Sequence, residues 1–340
     1  MVETTALTFG PAWIVAGVIV VALLIYALTG GADFGGGVWD LFARGPRAER
    51  QREAIEHAIA PIWEANHVWL ILVVVLLFVC FPSAFAALTT ALHIPLTLML
   101  IGVVLRGSAF TFRSYDIGPG ATERGRLWTR IFAISSVITP IMLGVCLGAA
   151  VSGALRLDDK GRVITDFVSA WWAPFPFALG AMVLALFALI AAVYLAAEHR
   201  DDPLAEDFRV RGLWAGGATF VGAWLAFWLA ATGAPALRLG LSAGADALAG
   251  QVLTGGFALL TFGALWTRRY RLARVAVMAQ TTGIVLGWAA NQFPYLIVPD
   301  VRVDLAAAPD AVLWPVVGAL GIGSLFLIPA FWALYAVFKR

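Results

Sequence analysis

Nine apolar runs of about 20 residues, joined by short polar connections, dominate what this chain can fold into. They read as residues 11–32, 58–81, 84–105, 128–152, 170–197, 213–232, 247–267, 273–293 and 312–337. A run of this length crosses the roughly 30 Å hydrocarbon layer of a bilayer as a helix. Lipid offers no partner to a backbone N–H or C=O, so each run must satisfy its own hydrogen bonds, and the helix does that. The expected fold class is therefore an all-α membrane protein with nine transmembrane helices. A composition of 61% hydrophobic and 13% charged residues fits no soluble domain of 340 residues.

The charges orient the runs. All 23 Lys and Arg fall at run ends or in connections, and with nine spans 18 of them lie on one side and five on the other. The positive-inside rule makes the first side cytoplasmic, which puts the N-terminus outside and the C-terminus in the cytoplasm, as an odd number of spans requires. The basic residues are dispersed among short loops, so nothing supports nucleic-acid binding. Cys80 and Cys146 both lie within apolar runs and read as small buried side chains, with no disulfide or metal spacing. Glu3 precedes the first run without any Lys or Arg, so the basic start of a signal peptide is missing and the first run is expected to remain as a helix. Connections such as 33–57, 106–127, 153–169 and 294–311 are too short to fold alone. Residues 1–340 read as a single polytopic membrane domain without an internal repeat, and residues 47–57 as a charged helical approach to the second span.

Within that pattern Ala60-Pro61-Ile62-Trp63-Glu64-Ala65-Asn66-His67-Val68-Trp69-Leu70 breaks the rule. A carboxylate at the centre of a membrane helix costs roughly 2.5 kcal/mol or more, so Glu64 marks a functional site. Counted from Ala58, Glu64 is expected roughly 9 Å in from the cytoplasmic end of the second span, at 1.5 Å per residue. Glu64 and His67 have the Glu-x-x-His spacing of di-iron bundles, but those need a second copy and two further carboxylates, and this chain lacks the copy. A proton-handling carboxylate flanked by Asn66 and His67 fits better. The other reading is a satisfied polar cluster that only fixes helix packing.

Gly30-Gly31-Ala32-Asp33-Phe34-Gly35-Gly36-Gly37 closes the first run on the same side. Two readings stand: a flexible helix terminus with a surface aspartate, or a water-accessible vestibule in which Asp33 hands protons inward. No Gly-Lys-Ser/Thr follows, so it is not a phosphate loop. His93, beside Pro95, reads as hydrogen-bonded to a freed carbonyl rather than as a haem ligand; His57 and His199 read as solvated loop edges. Arg106 and Arg113 end the third run and read as interfacial anchors. Pro140, Pro174, Pro294 and Pro315 lie in or at the ends of spans, where neighbouring helices tolerate kinks.

Together these motifs resemble subunit II of the cytochrome bd-type quinol oxidases, the cyanide-insensitive branch included. The resemblance rests on Gly31-Ala32-Asp33-Phe34-Gly35 and on the Ala60–Leu70 motif, the more specific of the two. It continues through Arg106-Gly107 with Phe110 and Arg113, Trp172-Ala173-Pro174-Phe175, and Phe293-Pro294-Tyr295 with Pro299. Two departures stand out. Gly30 occupies the place of the first acid in the Asp-Gly-Phe-Asp of many members, and Trp63-Glu64 replaces the Trp-Asp of some.

The resemblance implies two four-helix bundles plus one peripheral helix, paired with a similarly folded subunit I that carries haems b and d. It implies a prokaryotic inner-membrane complex that oxidises quinol and reduces dioxygen to water with cytoplasmic protons. Glu64 and Asp33 then belong to a proton path, with Asn66 and His67 beside them, while Trp63, Trp69, Arg106 and Arg113 serve structure or interface. No haem or metal is expected in this chain. A structural quinone, small accessory subunits and lipid are further partners the resemblance allows. Two rivals are a proton-coupled secondary transporter using a helix break at Gly30–Gly37, and a purely structural scaffold subunit. Missing from the chain is the second Gly-interrupted acidic span that a transporter's inverted repeat would supply.

Overall fold

Proline opens four helices of this chain: Pro11, Pro82, Pro174 and Pro235 each stand in the first turn, where a missing N–H costs nothing. The computed structural model describes residues 10–59, 63–115 and 123–338. In chain order the helices are α1 (Pro11–Leu41), α2 (Ala48–Ile59), α3 (Trp63–Cys80), α4 (Pro82–Ala91), α5 (His93–Tyr115), α6 (Glu123–Ser152) and α7 (Pro174–Glu198). Then follow α8 (Leu204–Gly233), α9 (Pro235–Ser242), α10 (Ala245–Trp266) and α11 (Tyr270–Gln292). A two-stranded antiparallel hairpin, β1 (Tyr295–Ile297) and β2 (Val301–Arg302), leads through α12 (Val303–Ala306) to α13 (Asp310–Phe338). Among the described residues nine helices are long and apolar enough to cross a membrane, in agreement with the nine runs.

Four boundaries differ from the sequence reading, and each difference matters for the site. The first helix does not end at residue 32 but continues through Gly30–Gly37 to Leu41. Its 31 residues make a rod of about 46 Å, longer than the hydrocarbon layer. The glycine-rich stretch is thus neither a helix terminus nor a helix break, which removes the feature the transporter reading relied on. Residues 58 and 59, read as the start of the second span, belong to the charged approach helix α2, and α3 is described from Trp63. The third run divides at Leu92 into α4 and α5. The sixth helix starts at Leu204, nine residues earlier than its apolar run, with Glu206 and Asp207 in a polar first turn.

The glycines let α1 lie close against its neighbours. A Cβ on Gly35 would collide with the backbone carbonyl of Phe187 in α7, and one on Gly37 with the Ser136 hydroxyl in α6. Small residues that allow backbones to touch are how membrane helices gain packing without a hydrophobic drive. The Trp39 indole N–H, one turn on, donates to the Ala188 carbonyl at 2.8 Å and fixes the same α1–α7 contact. α7 is buried along nearly its whole length and contacts α1, α6, α8 and α11.

Ion pairs gather at one end of the helices. Arg47 grips Asp207, Arg50 reaches Asp202 at 2.7 Å, and Arg268 reaches Glu206 at 3.2 Å. These contacts tie the turn before α2, the α7–α8 connection and the α10–α11 turn together. At that last turn Arg268 takes φ 58°, and the Arg268 and Arg269 amides close back on the Leu265 and Ala264 carbonyls as a Schellman cap. At the opposite end Asp300 accepts from Arg156 Nε and the Leu157 amide, so the β1–β2 hairpin clamps the 153–172 connection.

Two outcomes follow for stability. Gly35→Ala should cost about 1–3 kcal/mol by overpacking α1 against α7. Gly217→Ala, on a helix surface with open space around it, should be neutral or gain up to about 1 kcal/mol. Thermal unfolding of both variants in the same detergent checks the contrast. The second outcome concerns α2. The Leu204 backbone amide, and then the Arg50 guanidinium, hold the Asp202 carboxyl below the usual carboxylate range. A carboxyl with a depressed folded-state pKa stabilises above its ordinary value of about 3.9 and loses that contribution as pH falls through the folded value. Acidification below about pH 3.9 should therefore speed amide exchange in α2 before it does so in α7.

Candidate functional site

A helix turns 100° per residue, so three neighbours on α3 point three ways. Asn66 is 0% exposed and faces α1, where its Nδ2–H donates to Asp33 Oδ2 at 2.6 Å. Glu64, two residues earlier and about 200° around, faces outward and is exposed on this chain. His67 lies between the two faces, half-buried, its ring edge-on to Tyr26 at 6.0 Å and near Phe34 and Trp63. A carbonyl can only accept, so His67 holds its proton on Nδ1 and donates to Trp63 O at 2.9 Å. Its Nε2 is left as the other titrating nitrogen. The four polar side chains thus run from the interior to the surface around one turn of α3.

Glu64 is the second described residue of α3, and its expected depth, counted from Ala58, runs through residues outside the described ones. Ala60, Pro61 and Ile62 of its motif lie outside the described residues. Asp33 departs from its expected place. Both readings of the glycine-rich stretch left it at a helix end, whereas it is 2% exposed, inside α1 and hydrogen-bonded across to α3.

Arg106 departs furthest from its expected place. Read as an interfacial anchor, it is instead 2% exposed in the core. Its guanidinium lies 4.7 Å from the Phe34 ring centroid and 5.1 Å from that of Phe132, and its Nε donates to Ser136 Oγ at 3.2 Å. Its Nη2 has no hydrogen-bond partner among the described residues. Asp33 and Tyr26 both interact with its charge across the core. A buried arginine needs such compensation, because the cost of desolvating an unpaired charge is several kcal/mol. Arg113 lies in the last turn of α5, and its side chain is outside the described residues.

The two tryptophans of the motif do packing work. Trp63 packs near Phe110 at 6.0 Å and over Gly107, whose missing side chain makes the room. Trp69 stacks on Phe331 of α13 at 5.3 Å. His93 donates from Nδ1 to Thr90 O at 2.9 Å, just before the kink, and its ring meets Phe167. No group of three or more His, Cys, Asp or Glu that could hold a metal occurs among the described residues.

Sequence reasoning missed three parts of this region. Asp40 is 1% exposed, seven residues beyond Asp33 on the same face of α1, and lies 4.0 Å from Arg52 of α2. The Asp-x₆-Asp spacing was the available signal, hidden because α1 was expected to stop at residue 32. Ser136 and Tyr26 carry no signal in an apolar run. The third part is a cleft of about 230 Å³ between α1, α2, α7 and α11 that reaches Asp33 from the side opposite Asn66.

Comparison with known proteins gives one family. The family model described as cytochrome bd terminal oxidase subunit II matches residues 11–338. Subunit 2 of the cytochrome bd-I ubiquinol oxidase of Escherichia coli K12 is 28% identical over 152 residues, 44% of this chain and 38% of that protein. Cytochrome bd ubiquinol oxidase subunit 2 of Bacillus subtilis is 31% identical over 147 residues, 42% of this chain and 41% of that one. The aligned part therefore spans about two-fifths of the length of these curated relatives. A chain in the structure of the bd oxidase from Geobacillus thermodenitrificans has the same fold, with a TM-score of 0.79 at 20% identity, covering 96% of this chain and 98% of that one.

The Asp33–Arg106 attraction is open to a double-mutant cycle. Arg106→Met and Asp33→Asn should each lower the thermal unfolding midpoint, and the double variant should lose less than the sum of the two. The expected coupling is about 0.5–3 kcal/mol. Strict additivity would show that the two charges do not stabilise one another.

Proposed function

This chain belongs to the cytochrome bd terminal oxidase subunit II family, and we propose that it works as the non-haem subunit of a quinol-oxidising, oxygen-reducing complex in a prokaryotic cell membrane. Its partner is a haem-bearing subunit I, and its task beyond stabilising that partner is to conduct protons from the cytoplasm. The arginine-rich end of the helices is then the cytoplasmic end, with the N-terminus outside. The bundle organisation is that of the family, two groups of four helices with α13 at the periphery. Haems b and d belong to the partner and supply the oxygen chemistry there. In this chain the four histidines each hold a carbonyl three or four residues back through Nδ1, and they are read as helix-bound polar groups.

One observation carries the proposal: Asp33, inside the helices, is hydrogen-bonded to the helix whose outer face presents Glu64. Below Glu64 that outer face is wholly apolar. Val68, Ile71, Val75 and Phe78 follow at helical spacing and are exposed, Ile71 and Phe78 by 60% and 61%. A carboxylate at the end of a lipid-facing stripe is costly, whereas one covered by a partner with proton-accepting groups has a use. In this reading Asp33 receives the proton, Asn66 orients the Asp33 carboxyl without itself titrating, and His67 and Glu64 carry the proton around α3 toward the partner. The Arg106 charge interacts with Asp33 and helps offset the cost of burying that carboxyl. Trp63, Trp69 and the Phe34–Arg106–Phe132 sandwich hold these groups in place.

Glu64→Gln keeps the size of the side chain and removes its proton. Quinol oxidase turnover of the assembled complex should fall by about tenfold or more, with haem absorption spectra near those of the parent. Full turnover in this variant would refute the proton role. Loss of assembly would make Glu64 part of the packing between subunits, which is the scaffold reading.

A further inference from the structure

The cleft between α1, α2, α7 and α11 has the depth of half a bilayer. Its wall on α1 runs from Ile25 to Gly36, about 16 Å of helix. One leaflet of a roughly 30 Å hydrocarbon layer has that depth. Ile25, Leu28 and Ala32 recur at helical spacing along this wall and are half-buried, and Met278 of α11 on the facing bank is exposed. The cleft is thus a groove open along its side. Thr29, on the same wall, gives its hydroxyl to the Ile25 carbonyl at 2.8 Å and leaves no free donor there. Ile55 and Ile59 of α2, almost fully buried, roof the groove at its arginine-rich end. At that end stand two exposed groups of opposite charge, Glu198 closing α7 and Arg274 opening α11. The Arg274 guanidinium lies 5.0 Å from the centroid of the Tyr194 ring.

We infer that the groove is a site for a zwitterionic phospholipid: one acyl chain lies along α1 toward Ile25, the phosphate meets Arg274, and an ammonium headgroup meets Glu198. The inference is separate from the proton reading and does not rest on it. A groove of about 230 Å³ left empty would cost its lining atoms the contacts they lack on the open side. Water is a poor filling. Buried water needs two to four polar partners, and the half toward Ile25 offers apolar side chains and the bonded Thr29 hydroxyl. An acyl chain needs no such partners. Asp33 lies within a turn of Gly36, at the polar end, and its Oδ2 accepts from Asn66 on the other side. It would therefore border the ester region of a lipid rather than the tail. Contact with the Tyr194 ring steadies Arg274. A guanidinium so placed suits a phosphate, which it can bind through two N–H groups at once. The opposite charges at the mouth decide the headgroup, because a purely anionic one would stand against Glu198.

The test uses the whole oxidase, purified in mild detergent and washed at length, with Arg274→Gln and Met278→Trp made separately in this chain. Both positions are exposed, so neither change disturbs the core, and Met278→Trp fills the groove from its rim. Phospholipid is extracted and quantified by headgroup class with mass spectrometry. The parent should retain phosphatidylethanolamine, and each variant should hold several-fold less, with haem spectra like those of the parent. Returning phosphatidylethanolamine in detergent micelles should raise the thermal unfolding midpoint of the washed parent and leave that of the Arg274→Gln complex unmoved. If Met278→Trp fails to assemble, Arg274→Gln and the return of lipid to the parent still decide the question. Equal phosphatidylethanolamine in parent and variants overturns the site, as does a washed parent that holds no lipid and gains no stability on its return. Retention of phosphatidylglycerol instead overturns it and makes the mouth an anion site. Retention of quinone that is lost on Met278→Trp overturns it and gives the groove to an isoprenoid tail.

Discussion

The 2.6 Å hydrogen bond from Asn66 to Asp33 is the contact on which this region turns. It joins α1 to α3 between two side chains that are almost fully buried. A carboxyl placed there needs compensation from within the chain, and it gets two kinds: a donor on α3 and the positive charge of Arg106 on α5. Arg106 in turn needs the faces of Phe34 and Phe132 and the Ser136 hydroxyl. Four helices are therefore bound to one polar cluster, and none can shift without stranding a charge.

The close packing of α1 makes that cluster possible. Gly35 and Gly37 remove the side chains that would hold α7 and α6 away. Asp33 and Phe34 immediately precede them in the glycine-rich stretch, so the segment that packs tightest is also the one that carries the acid. A flexible terminus at this place would leave Asp33 in water, where neither Asn66 nor Arg106 would have a use for it. The continuous helix does the reverse: it fixes the carboxyl between a polar neighbour on one side and a cleft on the other.

Much of this was legible in the sequence, for reasons that also explain the failures. Apolar run length sets span number directly, because a bilayer imposes it, and all nine runs reappear as helices. Glu64, Asp33, Asn66 and His67 were recognisable because polar residues are conspicuous against an apolar background. Run length says little about where a helix stops in the polar layer, however. Gly30–Gly37 looked like a terminus because glycine ends helices in water, while between membrane helices it serves close approach. Arg106 looked like a surface anchor because it ends an apolar run, and its burial depends on α5 continuing to Tyr115. Glu198 and the cleft left no trace, since they arise where the ends of α1, α2, α7 and α11 converge.

The positions of the two acids constrain what the proposed proton path has to do. Asn66 bonds Asp33, some 33 Å along α1 from Pro11, and Glu64 stands two residues before Asn66, so the two acids lie at a similar level. A proton moving between them makes little progress across the membrane. Its movement is mainly lateral, from the interior of this chain around α3 to the face that a partner would cover. Such a route needs side chains pointing in successive directions around one helix turn, and Asn66, His67 and Glu64 have that spacing. On the proposed function, any further descent into the membrane takes place on groups supplied by the partner, and this chain sets the face at which protons arrive.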